Sequence, residues 1–441
     1  MSARAHNELA PERVDPLERR SKPRLLLVTP DFPPARGGIQ VLVHRLAIGL
    51  GGFETKVLAL DSEGARRYDA ASGIATRRVP AISRPGAARN LALNAATLAE
   101  AARFRPDVIL SAHIVASPAA AVVRRLHGAP TVQYFYANEI LDKPRLAAFA
   151  ARRADRTIAI SAYTASLIAA SGAPAARISV IPPGVDLPAP ISSVADLSAP
   201  TGPDLFAPTG PDLSAPIPLG VGLPADPRSE SPPPTVEDPH SMAPPAERPT
   251  ILTIARLHDR YKGHDVLIEA LARVRAQVQD VEWVVIGDGP LRTELELLAR
   301  SAGVADAVRF LGSLSDEQRD HWLRRADLFA MPSRLPGGHL AGEGFGIVYL
   351  EAAAYGKPVL AGNVGGALDA VADGESGLLV DPTDPEAVAS AIVRLLLDRE
   401  LARRLGAVGA ERARRFAWPM ICERVEALLF ETFAAAPPVG R

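Results

Sequence analysis

The chain has 441 residues, 47% hydrophobic and 22% charged, with a formal net charge of −1. That length accommodates two ordinary domains, and the composition excludes fibrous and wholly disordered classes. The single cysteine, Cys422, excludes an internal disulfide framework and a cysteine-based metal site. No run of about 18 apolar residues is present to span a membrane.

Residues 1–21 are charged and lack an apolar stretch, so they read as a disordered tail and not as a signal peptide. "RLLLVTP" (24–30) then reads as a short buried strand ended by Pro30, the pattern of a parallel-sheet core. "DFPPARGGIQ" follows as a turn, with Gly37 and Gly38 before a helix over "VLVHRLAIGL". A glycine pair before a helix is by itself as often a plain turn as a ligand loop. Further strands are expected at 56–60, 107–111, 130–135, 156–161 and 178–182, with helices between most of them, including "NLALNAATLAEAARF" and "SPAAAVVRRLHG". Such alternation predicts a doubly wound α/β sheet. Residues 22–187 carry 21 lysines and arginines against 11 acids. That surplus suits an anionic membrane surface, a phosphorylated acceptor or an acidic sugar, and equally a scatter of surface arginines.

From 188 to 249 the periodicity vanishes into a Pro-, Ser- and Asp-rich self-repeat, "DLSAPTGPDLFAPTGPDLSAP" (196–216), expected to be disordered or extended. Order resumes at "TILTIARL" (250–257). Five more strands are expected at 281–290, 308–314, 326–333, 358–363 and 377–382, making a second α/β domain. "RFAWPMICERVEALLF" closes the chain as a helix, with a break at Pro419. Ligands of such sheets sit beyond the carboxyl ends of the strands, so two sheets point to a cleft between them.

The chemistry concentrates in "GEGFGIVYLEAAAYGKP" (342–358), where Glu343 and Glu351 stand eight apart. Gly342, Gly344 and Gly346 let the backbone turn tightly and approach a ligand. The helix that begins at "IVYLEAAAY" leaves N–H groups near Phe345, Gly346, Ile347 and Val348 for an anion such as a diphosphate. Beside that anion Glu343 would bind neutral hydroxyls, and Glu351 would reach a second polyol such as a ribose. "IARLHDRYKGHD" places Arg256 just past a strand and Lys262 six residues on, two cations that can neutralise a leaving diphosphate. His113 follows another strand; a lone histidine there is more often structural. "VIGDGP" offers Gly287 and Gly289, but Arg292 stands where a dinucleotide fingerprint needs its third glycine. No DxD triplet appears in the segments expected to line the cleft.

The Glu343/Glu351 pair reproduces the E-x7-E signature of retaining family-4 glycosyltransferases, and "RLHDRYKG" matches their R-x5-K-G pattern. The resemblance covers 24–187 and 250–418. "FAMPSRLPGGHLAGEGFGIVYLEAAAYGKPVLAGNVGGALDAV" is especially similar to bacterial phosphatidylinositol mannosyltransferases. It implies the GT-B fold, α/β with two Rossmann-like domains facing a cleft. The expected division is a tail (1–21), an acceptor domain (22–187), the linker (188–249), a nucleotide-sugar donor domain (250–415) and a C-terminal helix and tail (416–441) packing back toward the first domain. It further implies that Glu343 contacts donor-sugar hydroxyls, Glu351 the ribose, and Arg256 and Lys262 the diphosphate. Gly37 and Gly38 would approach the donor phosphates, His113 the donor sugar, Gly287 the nucleotide pocket and Leu311 the base. Asp31 and Gln40 would line the acceptor side. Relatives place a polar residue and a glutamate in the segment "FYANEI", and Asn138 stands where a histidine is common.

The resemblance implies a hexose transfer from a nucleotide sugar to a lipid, glycan or small-molecule hydroxyl. GDP-mannose is the favoured donor, with UDP-glucose or UDP-N-acetylglucosamine the alternative. No cofactor or metal is expected, and no nucleic acid. The expected place is the cytoplasm, with peripheral contact at the inner face of an anionic membrane. The competing readings are a GT-B-like epimerase or phosphorylase, whose pyridoxal phosphate lysine or acid/histidine cluster is missing, and a non-catalytic sugar-nucleotide binder.

Overall fold

The computed structural model describes residues 22–35, 37–80, 86–188, 248–335 and 342–436. The tail at 1–21, nearly all of the Pro-rich linker and the last residues, 437–441, lie outside them.

The first domain contains β1 (Arg24–Thr29), β2 (Glu54–Leu60), β3 (Thr76–Val79), β4 (Val108–Ser111), β5 (Thr131–Phe135), β6 (Arg156–Ala159) and β7 (Ile178–Val180). They form one parallel sheet in the order β3-β2-β1-β4-β5-β6-β7. The second contains β8 (Thr250–Ile254), β9 (Glu282–Ile286), β10 (Val308–Gly312), β11 (Leu328–Met331), β12 (Val359–Gly362) and β13 (Leu378–Val380). Its parallel order is β10-β9-β8-β11-β12-β13. Both sheets reverse direction beside their first strand, where a doubly wound fold opens its ligand crevice. Helices cover both faces, so Leu25, Leu26, Leu27 and Val28 are all fully buried. Unbroken apolar runs are the result.

Strand β3 was not expected. Its sequence, "TRRV", is polar because it is an edge strand. Arg77 pairs with Glu100, and Arg78 donates to both oxygens of Asp69. Helices Ala137–Asp142 and Pro144–Arg153 also go beyond the expected set.

The closing helix, Trp418–Ala434, starts at the expected break, with Pro419 in its first turn, where a proline lacks no needed donor. It lies on the first domain, although it follows the second in sequence. Phe430 stacks on Phe53 at 4.4 Å, Arg424 donates to the Val180 carbonyl at 2.7 Å, and the Cys422 sulfur packs over Gly49. Just before it, Val185 donates to the Phe416 carbonyl at 2.8 Å. On another side of the interface, the Asp369 carboxylate accepts the Ala162 N–H at 3.1 Å and so caps helix Ala162–Ala170 of the other domain. Together these contacts set the facing walls of the cleft.

Candidate functional site: a cleft lined by two cations and two glutamates

The second-domain wall is built around a salt bridge. Lys262 Nζ lies 2.5 Å from Glu343 Oε2, and both side chains are largely buried, at 16% and 10% exposure. Lys262 ends a 3-10 turn, Arg260–Lys262, and Gly263 follows in the left-handed region at φ +78°. A side chain at Gly263 would run into the Pro332 carbonyl, so the lysine–glycine order is a steric requirement. The turn is clamped from outside by Arg334, which donates from its backbone to the Tyr261 carbonyl at 2.7 Å. Its guanidinium grips Asp265 at 2.8 and 2.6 Å.

Glu343 is held from several sides. Ser333 Oγ lies 3.4 Å from Oε2, and the Tyr349 hydroxyl reaches Ser333 Oγ at 3.2 Å and the Met331 carbonyl at 2.8 Å. Its own carbonyl accepts the Gly366 N–H at 2.8 Å. Gly366 packs so tightly on Gly344 that a Cβ would overlap the Gly344 carbonyl. Burial pulls the Lys262 ammonium down, but the charge and hydrogen bond of Glu343 outweigh it, so its pKa sits above the ordinary lysine value. Arg256, exposed two residues past β8, makes no hydrogen bond or ion pair among the described residues. Its charge nevertheless reaches Lys262 and opposes that rise. One cation is thus committed to Glu343 and the other is free.

Helix Ile347–Ala354 begins after Gly346, which is left-handed at φ +83° and has the Tyr349 ring where a Cβ would go. The N–H groups of Phe345, Gly346, Ile347 and Val348 find no acceptor among the described residues. The Phe345 side chain turns away into the core, 5.8 Å from the Phe416 ring, so only its backbone is left for a ligand. Glu351, on the second turn, faces Arg319 at 3.8 Å. Burial raises its pKa, Arg319 opposes this, and Asp186, Asp316 and Asp320 reinforce it.

The first-domain wall comes close. A Cβ on Gly38 would lie 3.7 Å from Ile347 Cδ1, which brings the Gly37–Gly38 turn to the start of that helix. A Cβ on Gly344 would lie 3.1 Å from Ile160 and 3.8 Å from Ala137. Asn138 lies beside Tyr261, the neighbour of Lys262. His113 stands past β4, with Nδ1 3.2 Å from Glu139 Oε2. Asp31, bonded by Gln40 at 3.3 Å, lies within the fields of Arg89 and Lys143. Burial lifts its carboxyl above the usual range.

Gly287 and Leu311 lie on a different part of the rim. Gly287 donates to the Gly312 carbonyl at 2.8 Å, and a Cβ there would overlap the Ala255 carbonyl. Its immediate work is to let the turn lie flat against the segment that carries Arg256. Sequence reasoning missed Tyr261, Ser333, Tyr349 and Gly365–Gly366, which hold the pair. The "NVGG" run was the one available signal for the last two. Among the described residues no three His, Cys, Asp or Glu side chains converge on a metal position.

Residues 36–188 match the family model "Glycosyltransferase Family 4", and residues 237–412 match "Glycosyl transferases group 1". A GDP-mannose-dependent alpha-(1-6)-phosphatidylinositol monomannoside mannosyltransferase of Mycobacterium tuberculosis is 33% identical over 408 residues, covering 88% of this chain and 93% of that one. The chain belongs to glycosyltransferase family 4. The counterpart in Mycolicibacterium smegmatis is also 33% identical, over 87% of this chain and 92% of that one. Among solved structures, this family-4 chain shares its fold with sucrose-phosphate synthase from Thermosynechococcus elongatus. The TM-score is 0.70 at 21% identity, covering 94% of this chain and 100% of that one. Anabaena HepE in complex with UDP gives a TM-score of 0.68 at 21% identity, over 92% of this chain and 100% of that one. The GT-B architecture expected from the motifs is the one observed, and the chain is a glycosyltransferase.

Proposed function

We propose that the enzyme is a retaining mannosyltransferase that moves mannose from GDP-mannose to a hydroxyl of an inositol phospholipid glycan. The observation that carries the reading is the Lys262–Glu343 pair beside the free Arg256 and the unpaired amides of 345–348. A diphosphate set there meets one free cation, one cation shared with Glu343 and a helix N-terminus. Glu343 then faces the sugar hydroxyls and Glu351 the ribose. Gly37 and Gly38 close over the phosphates, and Gly287 and Leu311 border the base. In this division the first domain (22–187) takes the acceptor and the second (250–415) the donor.

Among the described residues no carboxylate is placed as a nucleophile, so the diphosphate leaves toward Arg256, Lys262 and the amides. The acceptor attacks from the same face, and the departing phosphate takes the acceptor's proton. Charge stabilisation and positioning supply the catalysis, with no metal. The names of the relatives at 33% identity support mannose, GDP and a phosphoinositide acceptor.

A lipid acceptor also calls for a membrane-facing surface, and the first domain offers one. Helices Ala87–Phe104 and Ser117–His127 expose Leu91, Leu98, Val122 and Leu126 among Arg89, Arg103 and Arg125. Their one acid, Glu100, is buried against Lys56 and Arg77. Apolar side chains ringed by arginines suit an anionic leaflet. No helix among the described residues is long and apolar enough to cross a membrane. The enzyme on this reading works peripherally, at the cytoplasmic face.

The test is a donor panel of GDP-mannose, UDP-glucose and UDP-N-acetylglucosamine, scored by nucleotide release on phosphatidylinositol mannoside vesicles, with mass analysis of the product. Hexose addition from GDP-mannose with a retained anomeric configuration is expected. Turnover with a UDP-sugar alone would remove the donor assignment, and transfer only to a soluble aglycone would remove the lipid.

A further inference from the structure

The first domain carries a second cationic site, on its side away from the cleft. The pairing register stands Arg24 beside Glu54, Leu26 beside Lys56 and Leu58 beside Arg77. Alternation along each strand then puts Arg24, Lys56 and Arg77 on one face of the sheet. Further along the strands that face is core, where Leu26, Val28, Leu58 and Leu60 cluster with Leu93 of helix Ala87–Phe104. At the amino ends it turns cationic. There, with Glu100, Arg103 and Phe104 from the last turn of the helix, it walls an open cavity of about 660 Å³. Strand β1, six residues or about 20 Å long, separates this cavity from the carboxyl ends, where the cleft opens.

The cations of this wall are fixed in place. Glu100, its side chain 3% exposed, takes Lys56 Nζ on one oxygen at 2.7 Å and Arg77 on the other. Arg24 Cζ and Lys56 Nζ lie 5.4 and 5.5 Å from the centre of the same Phe104 ring. Arg24 also donates to the Phe104 carbonyl at 2.8 Å. Arg24, Lys56 and Arg77 keep 25%, 32% and 34% of their side-chain surface exposed, so each is held and still reaches solvent. Arg103 makes no hydrogen bond or ion pair among the described residues. Five wall cations, Arg78 included, meet three carboxylates: Glu54 on Arg24, Asp69 on Arg78, and Glu100. Two positive charges are left over. The geometry points to a binding site for a phosphate monoester, a group that carries about −1.5 to −2 at pH 7. Guanidinium forks held in position suit its oxygens, and the cavity has the size of a small-molecule site. A diester, with a single charge, leaves one cation uncompensated. The bearer is a soluble phosphate ester or a lipid such as phosphatidic acid, reached along the helix that exposes Leu91 and Leu98. Either one acts away from the cleft, so the site goes beyond the transferase reading.

The test is equilibrium dialysis of the full chain against inorganic phosphate, in an Arg256→Ala background that takes the free cation out of the cleft. Saturable binding of one phosphate per chain is expected. Arg103→Gln, which breaks no hydrogen bond or ion pair, should weaken it about tenfold, the worth of one hydrogen bond to a charged group. Glu100→Gln removes the competing carboxylate and releases Lys56 and Arg77, so it should tighten binding about tenfold. Ion pairs that only close the base of the sheet predict neither change. Absence of saturable binding, or an affinity that either substitution leaves unchanged, overturns the site. Sedimentation with phosphatidylcholine vesicles carrying phosphatidic acid separates the two sources. Retention that inorganic phosphate displaces and Arg103→Gln weakens marks the lipid phosphate. Phosphate binding that the vesicles leave unchanged marks the soluble ester. No nucleotide or acceptor enters the assay, so this result stands or falls apart from the mannosyltransferase reading.

Discussion

Replacing Lys262 by alanine separates what the salt bridge does for the fold from what it does for the reaction. At 2.5 Å, and an effective dielectric of about 20, two unit charges attract by about 7 kcal/mol before desolvation, which cancels much of it. Removing one partner is different, because the other charge stays buried and alone, at a cost of about 3–5 kcal/mol. Glu343 keeps slight solvent contact and the Ser333 hydroxyl, so the lower end, about 3 kcal/mol, is expected. In a domain of this size that lowers the melting temperature by roughly 6–12 °C. Turnover should fall about 100- to 1,000-fold, the loss typical of one charge-stabilising donor. Adding Glu343→Gln removes the stranded charge, so the double variant should recover most of the melting temperature and none of the turnover. The assays are thermal unfolding and GDP release from GDP-mannose. A Lys262→Ala enzyme within threefold of wild type would refute the diphosphate role. A double variant no more stable than the single one would refute the stranded-charge argument.

Four further outcomes follow from the same geometry. Gly346→Ala forces a side chain into a left-handed position already filled by the Tyr349 ring, and should cost about 1–3 kcal/mol by chemical denaturation. It should also raise the donor KM by tilting the free amides. Asp369→Ala removes the cap that one domain lends the other, and should cost about 1 kcal/mol and expand the solution scattering envelope. Turnover in EDTA should equal that in magnesium, because the two cations and the amides carry the leaving charge; a chelator-sensitive rate would overturn this. Reversing Arg103 and Arg125 to glutamate should weaken binding to anionic vesicles at least tenfold, at about 1 kcal/mol per charge, while leaving GDP affinity unchanged.

The sheets were largely legible because parallel strands buried on both faces leave apolar runs such as Leu25–Val28 and Trp283–Ile286. Strand β3 escaped because an edge strand answers to its neighbours' charges, Glu100 and Asp69, and not to a core. The two short helices over 137–153 escaped because Pro144 splits the segment into runs of six and ten residues, too short for a clear helical period. At the site, the glycine spacing and the helix start were visible, since both are local. The pairing of Lys262 with Glu343 was not, for 81 residues separate them and the two loops meet through the packing and hydrogen bonds of Pro332, Ser333 and Arg334.

The most direct measurement is a crystal structure with GDP-mannose bound. The diphosphate should lie within hydrogen-bond distance of Arg256, Lys262 and the amides of 345–348, with the mannose hydroxyls on Glu343 and the ribose on Glu351. A nucleotide seated elsewhere, with the Lys262–Glu343 pair untouched by phosphate or sugar, would contradict it.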